Sequence, residues 1–576
     1  MPTRLPRVQW QRPRFTLAML VAAPVVAAIL ALDVSGAASQ SVAARRQTPG
    51  VRVGGNRPLV QTNRGPVRGF VKNGVNTFLG IPYAAPPVGT LRWRPPQPHA
   101  RWRRPLNATA YGRTCPQITT LGVFANPSDT ENCLYLNVFT PRLGRGGGRG
   151  LPVLVWIHGG ANVDGESNDY DGSKLATGGK YGGSDTVVVT LNYRLGLLGF
   201  LANPALDSEG HNFGDYGIMD QQAVLRWVKR NIAAFGGDPR NVTLGGQSAG
   251  AVDTEANVIS PLSAGLFRHA IAESAFYSIS TPLSTALSRG EAFAQAAGCS
   301  GATAAVAACL RGLSVAQILQ LQGTANTNGP YVSNAIVDGT VIPMTPPQAF
   351  SSGRYNHMPM MGGTVQDEGD FGIGITEYFS GPPRQPMTAA DYTTDVTNAY
   401  SPPRYPAGTA AQVLAQYPLA NYPTAQLAYD AVTTAPTACT DLQNAGLLAT
   451  RVPVYAYTFD YQHAPYYFPT MPGFVPLAAH TIDIQFLFPG YHGGILGVRH
   501  SLNAQETRLS NELVAAWTNF ALTGNPNRTG KSPWPRFTQT PGRPSVLSEN
   551  IPRLSRQTTA QVSAKYDCAF WNSLTS

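Results

Sequence analysis

Charged residues are scarce in this chain. Only 13% of its 576 residues are Asp, Glu, Lys or Arg, whereas 43% are hydrophobic. Disordered chains have the opposite balance, so this composition excludes disorder for most of the protein. The sequence also has no internal repeat and no long low-complexity linker. We therefore expect a large hydrophobic core.

Acidic residues are almost absent from the first 54 positions. This segment holds one acid, Asp33, and seven arginines, so it supplies more than half of the formal net charge of +11. The basic residues elsewhere are scattered, and no nucleic-acid-binding motif lies beside them. The positive charge therefore does not indicate a nucleic-acid partner.

The N-terminus instead has the pattern of an export signal. No acid precedes Arg14, an apolar run covers residues 15–32, and the small residues SGAAS follow at 35–39. This order is typical of a cleaved secretory signal peptide, with cleavage after Ala37 or Ala38. An uncleaved membrane anchor is the alternative, since 18 apolar residues approach the length of a bilayer span.

The domain boundaries follow from this pattern. We predict a signal peptide over residues 1–38, a flexible lead-in over 39–54 and a single domain over 55–576. The protein is then secreted or periplasmic, without stable membrane association after cleavage.

Cysteine is also rare, with six residues and no CxxC pair or Cys/His cluster. The spacing therefore excludes a typical zinc site. In an exported chain, six cysteines predict three disulfides, although spacing alone leaves fifteen connectivities open. The residues are Cys115, Cys133, Cys299, Cys309, Cys439 and Cys568.

Apolar runs predict the central strands. LYLNVFT (134–140), PVLVWIHGG (152–160) and TVVVTLNY (186–193) read as strands, and the last two have the unbroken apolar character of a parallel sheet covered on both faces. Residues 215–237 show helical spacing and end in a glycine pair. NVTLGG (241–246) then predicts a short strand.

That strand leads directly into Gly246-Gln247-Ser248-Ala249-Gly250. A strand, a tight G-x-S-x-G turn and a following helix form a nucleophile elbow, which exposes the serine at the carboxyl end of the sheet. G-x-S-x-G alone matches many loops by chance, but here its context supports the interpretation. Ser248 is therefore the candidate nucleophile.

A serine nucleophile needs backbone donors for an oxyanion, and the end of an earlier strand offers them. His158-Gly159-Gly160-Ala161 is an HGGG-type loop with alanine in the third glycine position. We expect the N–H groups of Gly160, Ala161 and Ala249 to form the oxyanion hole.

The nucleophile also needs a base and an orienting acid, which follow it in the chain order Ser, acid, His. The segment 362–372 contains three candidate acids, and four candidate histidines come later. The residues alone do not choose among Asp367, Glu368 and Asp370, or among His463, His480, His492 and His500.

Ordered matches across residues 58–572 resemble the type-B carboxylesterase and cholinesterase-like family. They include FLGIPYAAPPVGTLRWRPPQP (78–98), ENCLYLNVFTP (131–141), LNYRLGLLGFL (191–201), the run 220–250 that ends in GGQSAG, and AWTNFALTGNPN (516–527). The resemblance implies an α/β-hydrolase fold, with a large, mostly parallel sheet flanked by helices and long loop insertions.

The resemblance also assigns roles to particular residues. It implies Glu368 as the catalytic acid and His480 as the base. A buried structural ion pair is implied between Arg92 and Glu131. The implied disulfides are Cys115–Cys133, Cys299–Cys309 and Cys439–Cys568.

The implied activity is the hydrolysis of small-molecule carboxylic esters through an acyl-enzyme. The resemblance implies no metal or other cofactor. Two departures from the family pattern affect the pocket: Gln247 replaces a common Glu, and Asp253 replaces a small residue such as Ser. The first disulfide loop (116–132) has no tryptophan, which argues against choline esters. Its short apolar face, Leu121, Val123 and Phe124, favours esters of short or medium acyl chains.

Three alternatives remain open from the sequence. A lipase acting on long-chain acylglycerols or an amidase or carbamate hydrolase would use the same machinery, and some members of the family are non-catalytic binding proteins. The sequence does not determine the oligomeric state.

Overall fold

The central strands predicted from the apolar runs lie in the middle of one large sheet. The structure, a computed structural model, describes residues 57–574 except 119–124, 145–148, 211–213, 276–278, 324–330, 332–333, 382, 496 and 528–533. The predicted signal peptide and lead-in lie outside the described residues. The described residues within Val53–Ser380 and Arg384–Ser576 form one compact unit.

The strands are numbered in chain order. They are β1 (Leu59–Gln61), β2 (Pro66–Arg68), β3 (Phe70–Lys72), β4 (Val75–Pro82), β5 (Leu106–Asn107), β6 (Tyr135–Thr140), β7 (Leu151–Ile157), β8 (Val187–Leu191), β9 (Gly237–Gln247), β10 (His269–Glu273), β11 (Thr281–Pro282), β12 (Ile336–Val337), β13 (Met360–Val365), β14 (Val454–Phe459), β15 (Pro544–Glu549) and β16 (Ser555–Thr558).

The α-helices are numbered in the same way. They are α1 (Ser173–Ala176), α2 (Gly196–Gly199), α3 (Pro204–Asp207), α4 (Tyr216–Asn231), α5 (Ala249–Ile259), α6 (Leu283–Ala296), α7 (Thr303–Gly312), α8 (Val315–Gln322), α9 (Pro346–Ser352), α10 (Asp370–Phe379), α11 (Ala389–Ala399), α12 (Thr409–Gln416), α13 (Ala425–Ala449), α14 (Ile484–Leu487), α15 (Ala504–Thr523), α16 (Thr559–Lys565) and α17 (Cys568–Leu574).

An eleven-stranded sheet has the order β16-β15-β14-β13-β10-β9-β7-β8-β6-β4-β3. The seven strands from β15 to β8 are parallel. Antiparallel pairing joins β16 at one edge and β6, β4 and β3 at the other. This large, mostly parallel sheet with flanking helices is an α/β-hydrolase fold, which confirms the predicted fold class.

The unbroken apolar runs form the interior of this sheet. Every residue of β7 and of β8 is buried, as expected for parallel strands with helices on both faces. Smaller units complete the β structure: β1, β2 and β5 form a three-stranded sheet, and β11 pairs with β12.

The helix predicted over 215–237 ends earlier than its glycine pair. Helix α4 stops at Asn231, and a 3₁₀ turn over Ile232–Phe235 follows. Ile232 and Phe235 are both fully buried, and residues three apart lie on the same side of a 3₁₀ helix. The tighter turn therefore directs both side chains into the core. Gly236, at φ 90°, ends the turn, and Gly237 already belongs to β9.

Among the residues that the structure describes, no single helix is both long and apolar enough to cross a bilayer. Helices α7 and α8 meet the length and composition requirements only as a pair, and they are bent by 99° to one another.

The structure contains three disulfides, at the pairs that the resemblance implies. They are Cys115–Cys133, Cys299–Cys309 and Cys439–Cys568. The last joins positions 129 apart and connects α17 to the long helix α13.

A buried ion pair joins Arg92 to Glu131, close to the first disulfide. The guanidinium donates to both carboxylate oxygens, at 2.7 and 2.5 Å, and its remaining nitrogen donates to the carbonyl of Leu313 at 2.6 Å. The two side chains are only 8% and 9% exposed. The charges are therefore matched in a region where an unmatched charge would be costly.

We predict that Glu131→Gln destabilises the fold by about 3 kcal/mol, because it leaves the Arg92 guanidinium buried without a counter-charge. The measurement is the free energy of unfolding in urea. Glu512→Gln is the control, since Glu512 pairs with Arg508 on the surface and should change stability by less than about 1 kcal/mol. Equal stability of Glu131→Gln and the wild type would contradict the prediction.

Candidate active site

A sharp turn between β9 and α5 carries Ser248. The strand ends at Gln247, the helix begins at Ala249, and Ser248 has φ 57° and ψ −126°. A positive φ is uncommon for a residue other than glycine, so the surrounding structure holds this backbone in a strained conformation. The serine lies at the N-terminal end of α5, where the helix dipole favours negative charge.

Close packing explains the glycines on both sides of Ser248. A Cβ atom at Gly246 would lie 2.4 Å from the carbonyl oxygen of Gly250, and one at Gly250 would lie 2.2 Å from that of Ile157. Both distances are far below van der Waals contact. The turn therefore excludes side chains at these two positions.

Glu368 and His480 form a buried hydrogen-bonded pair next to this turn. Glu368 follows β13, and its Oε2 lies 2.5 Å from His480 Nδ1. Its Oε1 accepts a hydrogen bond from the N–H of Val365 at 3.0 Å, which fixes the carboxylate. The other ring nitrogen, His480 Nε2, lies 3.3 Å from Nε2 of Gln247, the residue before Ser248. The histidine is thus oriented by the acid and lies against the end of β9.

The other two candidate acids lie nearby and accept hydrogen bonds from other residues. Asp367 accepts hydrogen bonds from the N–H of Ala478 at 3.0 Å and from Gln462 at 2.9 Å. It therefore anchors the loop that carries His480. Asp370 accepts from Gln426 of α13 at 2.8 Å.

The other three candidate histidines are elsewhere. His463 and His500 are exposed. His492 Nδ1 lies 2.5 Å from Asp169. Of the four candidates, the structure brings His480 to one of the predicted acids.

The loop after β7 has an unusual backbone. Gly160, Ala161 and Asn162 have φ values of 109°, 52° and 59°, so three successive residues lie in the left-handed region. Gly159 approaches the serine so closely that a Cβ atom there would lie 3.0 Å from the Cβ of Ser248. The predicted oxyanion loop is therefore packed directly against Ser248.

The three predicted oxyanion donors are free to bind a ligand. Within the described part of the chain, the N–H groups of Gly160, Ala161 and Ala249 donate to no protein acceptor. Ala249 is buried, and a buried N–H without an acceptor is rare in proteins. Such groups suit a site where a negative charge develops during a reaction.

The two departures from the family pattern are both buried beside the turn. Gln247 contacts His480 Nε2, as described above. Asp253, in α5, accepts hydrogen bonds from Asn162 and Gln221, which supply the partners that a buried carboxylate needs. Burial raises the pKa of Asp253 to about 7, against the effect of these two hydrogen bonds.

Some parts of the site were not predicted. Asn162 lies immediately after the predicted oxyanion loop, and a polar residue at that position was the available signal. Leu121, Val123 and Phe124, the predicted apolar face of the first disulfide loop, lie outside the described residues. Among described residues, no group of three or more His, Cys, Asp or Glu could hold a metal ion.

His158, at the start of the predicted oxyanion loop, is buried. Its Nδ1 lies 2.8 Å from the carbonyl oxygen of Gly159, and its ring stacks on Tyr193. Its Nε2 has no hydrogen-bond partner among the described residues. Burial lowers the pKa of His158 from 6.5 to about 4, although the bond to Gly159 opposes this change.

We predict that His158 makes the fold acid-sensitive. Because its pKa is lower in the folded state, its contribution to stability is present above pH 6.5 and is lost as the pH falls towards 4. Between pH 7 and 5 the wild type should lose about 2 kcal/mol more unfolding free energy than His158→Asn. His463→Asn, at an exposed position, should behave as the wild type. Parallel curves for wild type and His158→Asn would contradict this prediction.

Comparisons with known proteins agree with the fold. The model of the Carboxylesterase family matches residues 56–571. An acylcarnitine hydrolase of Mus musculus is 34% identical over 83% of this chain and 85% of its own, and a para-nitrobenzyl esterase of Bacillus subtilis is 33% identical over 86% and 95%. A solved thermophilic PNB esterase superposes with a TM-score of 0.69 at 29% identity, covering 89% of this chain and 100% of its own. The chain therefore belongs to the carboxylesterase family and is a carboxylic ester hydrolase.

Proposed function

We propose that the protein is an exported serine esterase that hydrolyses small-molecule esters of short or medium acyl chains through an acyl-enzyme. The observation that carries the proposal is the Glu368–His480 pair, in which the ring nitrogen away from the acid, His480 Nε2, lies against the strand end that precedes Ser248. A buried carboxylate on one nitrogen of a histidine is the arrangement that lets the other nitrogen act as a general base.

In this mechanism Ser248 attacks the ester carbonyl and His480 accepts its proton. Glu368 holds the imidazole in the tautomer with hydrogen on Nδ1 and stabilises the imidazolium that forms. The N–H groups of Gly160, Ala161 and Ala249 bind the tetrahedral oxyanion, each contributing on the order of 3 kcal/mol. His480 then protonates the departing alcohol, and water repeats the sequence on the acyl-enzyme.

The length of the first disulfide loop supports short or medium acyl chains. Cys115 and Cys133 are only 18 positions apart, whereas lipases of the family carry a longer flap there. The relatives named acylcarnitine hydrolase and para-nitrobenzyl esterase also fit a small ester as the substrate.

Export is supported by the three disulfides, since disulfides persist in oxidising compartments. The pattern of the first 38 residues supports a cleaved signal peptide. The boundaries at residues 38 and 54 remain predictions.

We predict that p-nitrophenyl esters from acetate to palmitate are hydrolysed fastest at short or medium chain lengths. Ser248→Ala should lose both the initial burst and at least about 10⁴-fold in kcat, because no nucleophile remains. Ser288→Ala, at an exposed position on α6, should retain the wild-type rate.

Other outcomes of this experiment would point to the alternatives. A maximum at palmitate with turnover of emulsified acylglycerols would indicate a lipase. Matched anilides or carbamates hydrolysed as fast as esters would indicate an amidase or carbamate hydrolase. A folded wild type without turnover on any substrate would indicate a binding protein.

We predict that the exported protein begins at Ala38 or Ser39. N-terminal sequencing of the exported protein measures this. Replacing Ala37 and Ala38 together by Lys should block cleavage, because signal peptidases require small residues before the cut. Full-length chain retained in the membrane fraction of the wild type would instead support the uncleaved anchor.

A further inference from the structure

A buried carboxylate connects the helix of the serine to the oxyanion loop. Asp253 lies on α5, five residues after Ser248, and is fully buried. Its Oδ1 accepts a hydrogen bond from Asn162 Nδ2 at 3.0 Å, and its Oδ2 accepts one from Gln221 Nε2 at 2.6 Å. Asp253 thus joins α5 to the loop after β7 and to helix α4.

Asn162 is the residue through which this connection reaches the oxyanion loop. It directly follows Ala161, and its φ of 59° requires support from its surroundings. The hydroxyl of Tyr193 lies 3.0 Å from Asn162 Oδ1 and 3.0 Å from the carbonyl oxygen of His158. The Asn162 carbonyl also accepts from the N–H of Gly196 at 2.6 Å. The side chain is therefore held at both ends, with Asp253 accepting from its amide nitrogen.

The hydrogen-bond directions in this network require an acceptor side chain at position 253. Gln221 uses its oxygen to accept from Asn257 at 2.9 Å, and the oxygen of Asn257 accepts from Ser263 at 2.8 Å. Gln221 therefore presents its NH₂ group to position 253, as Asn162 also does. A side chain that accepts from both sides is required, and an ionised carboxylate meets this requirement.

We propose that Asp253 is a positioning residue for catalysis, which holds the Gly160–Ala161 loop in register with Ser248 through Asn162. This inference rests on the proposed function, in which the N–H groups of that loop bind the oxyanion. It explains why a carboxylate occupies a fully buried position next to the nucleophile. It also explains how three successive residues keep a left-handed backbone.

Loss of this support should reduce kcat more than it changes KM. The oxyanion forms in the transition state, so donors that move out of place weaken the binding of the transition state more than that of the ester. Removal of a single donor from an oxyanion hole lowers kcat by about 10²- to 10³-fold. Displacement of the loop should lower kcat by a somewhat smaller factor than removal of a donor.

The first test is Asp253→Asn, assayed with p-nitrophenyl acetate at pH 8.5, where Asp253 is ionised because its pKa is about 7. Asparagine has the same shape but places an NH₂ group against either Asn162 or Gln221. We expect kcat to fall by about 10- to 100-fold with KM changed by less than about threefold. The affinity for a trifluoromethyl ketone, which forms a tetrahedral adduct on the serine, should fall by a similar factor.

A second substitution should restore the activity. In Asp253→Asn with Gln221→Glu, the new Glu at 221 accepts from Asn257 and from the new Asn at 253, whose oxygen accepts from Asn162. The total charge is then as in the wild type, and each hydrogen bond again joins a donor to an acceptor, with the bond between positions 221 and 253 reversed in direction. We expect kcat to return to within about fivefold of the wild type. Gln221→Glu alone sets two carboxylates against each other and should be at least as impaired as Asp253→Asn.

Two further variants keep the test decisive. Asn162→Gly accepts the same backbone angle but removes the link to Asp253, so it should show the same loss of kcat even if Asp253→Asn does not fold. Asp338→Asn alters another buried aspartate, one bonded to the backbone at Thr340 and Ile342, and should keep the wild-type kcat.

The outcomes separate this inference from the proposed function. A folded Asp253→Asn or Asn162→Gly with wild-type kcat, or a double variant without recovery, would overturn the positioning role while the esterase stands. A wild type that is inactive on every ester would overturn both.

Discussion

Parallel strands end at the same edge of a sheet, and this constraint assembles the candidate site. Ile157 at the end of β7 is in register with Gly246 of β9, and Gln247 of β9 is in register with Glu273 of β10. On the other side of β10 lies β13, which leads into Glu368. The predicted oxyanion loop, the serine turn and the candidate acid therefore emerge side by side from strands that are distant in the sequence.

Close packing at this edge determines which residues are tolerated. Gly246 and Gly250 lack side chains because carbonyl oxygens lie where a Cβ atom would be. The positive φ of Ser248 and of the three residues from Gly160 to Asn162 persists because neighbouring elements hold them. Hydrogen bonds to buried polar groups supply part of that support. Asp253, on the helix that follows Ser248, accepts one such bond from Asn162 of the loop and another from Gln221.

The strands and the fold class were predictable, because unbroken apolar runs have a single favourable environment in a parallel sheet. The end of helix α4 was not, because the burial of Ile232 and Phe235 favours a 3₁₀ turn that the glycine pair does not indicate. The residues alone also did not show which of three acids and which of four histidines belong to the site. The family resemblance indicated Glu368 and His480, which the structure brings within 2.5 Å of each other.

The sequence by itself determined the α/β fold, the strand–turn–helix around Ser248 and the family, since these depend on local periodicity, local turn chemistry and ordered motifs. The tertiary structure decided which acid reaches which histidine, which backbone N–H groups lack an acceptor, and how Asp253 is satisfied. Those properties depend on contacts between residues as far apart as Asn162 and Asp253 or Glu368 and His480. The packing of the whole sheet brings such residues together, and no local pattern in the chain predicts these contacts.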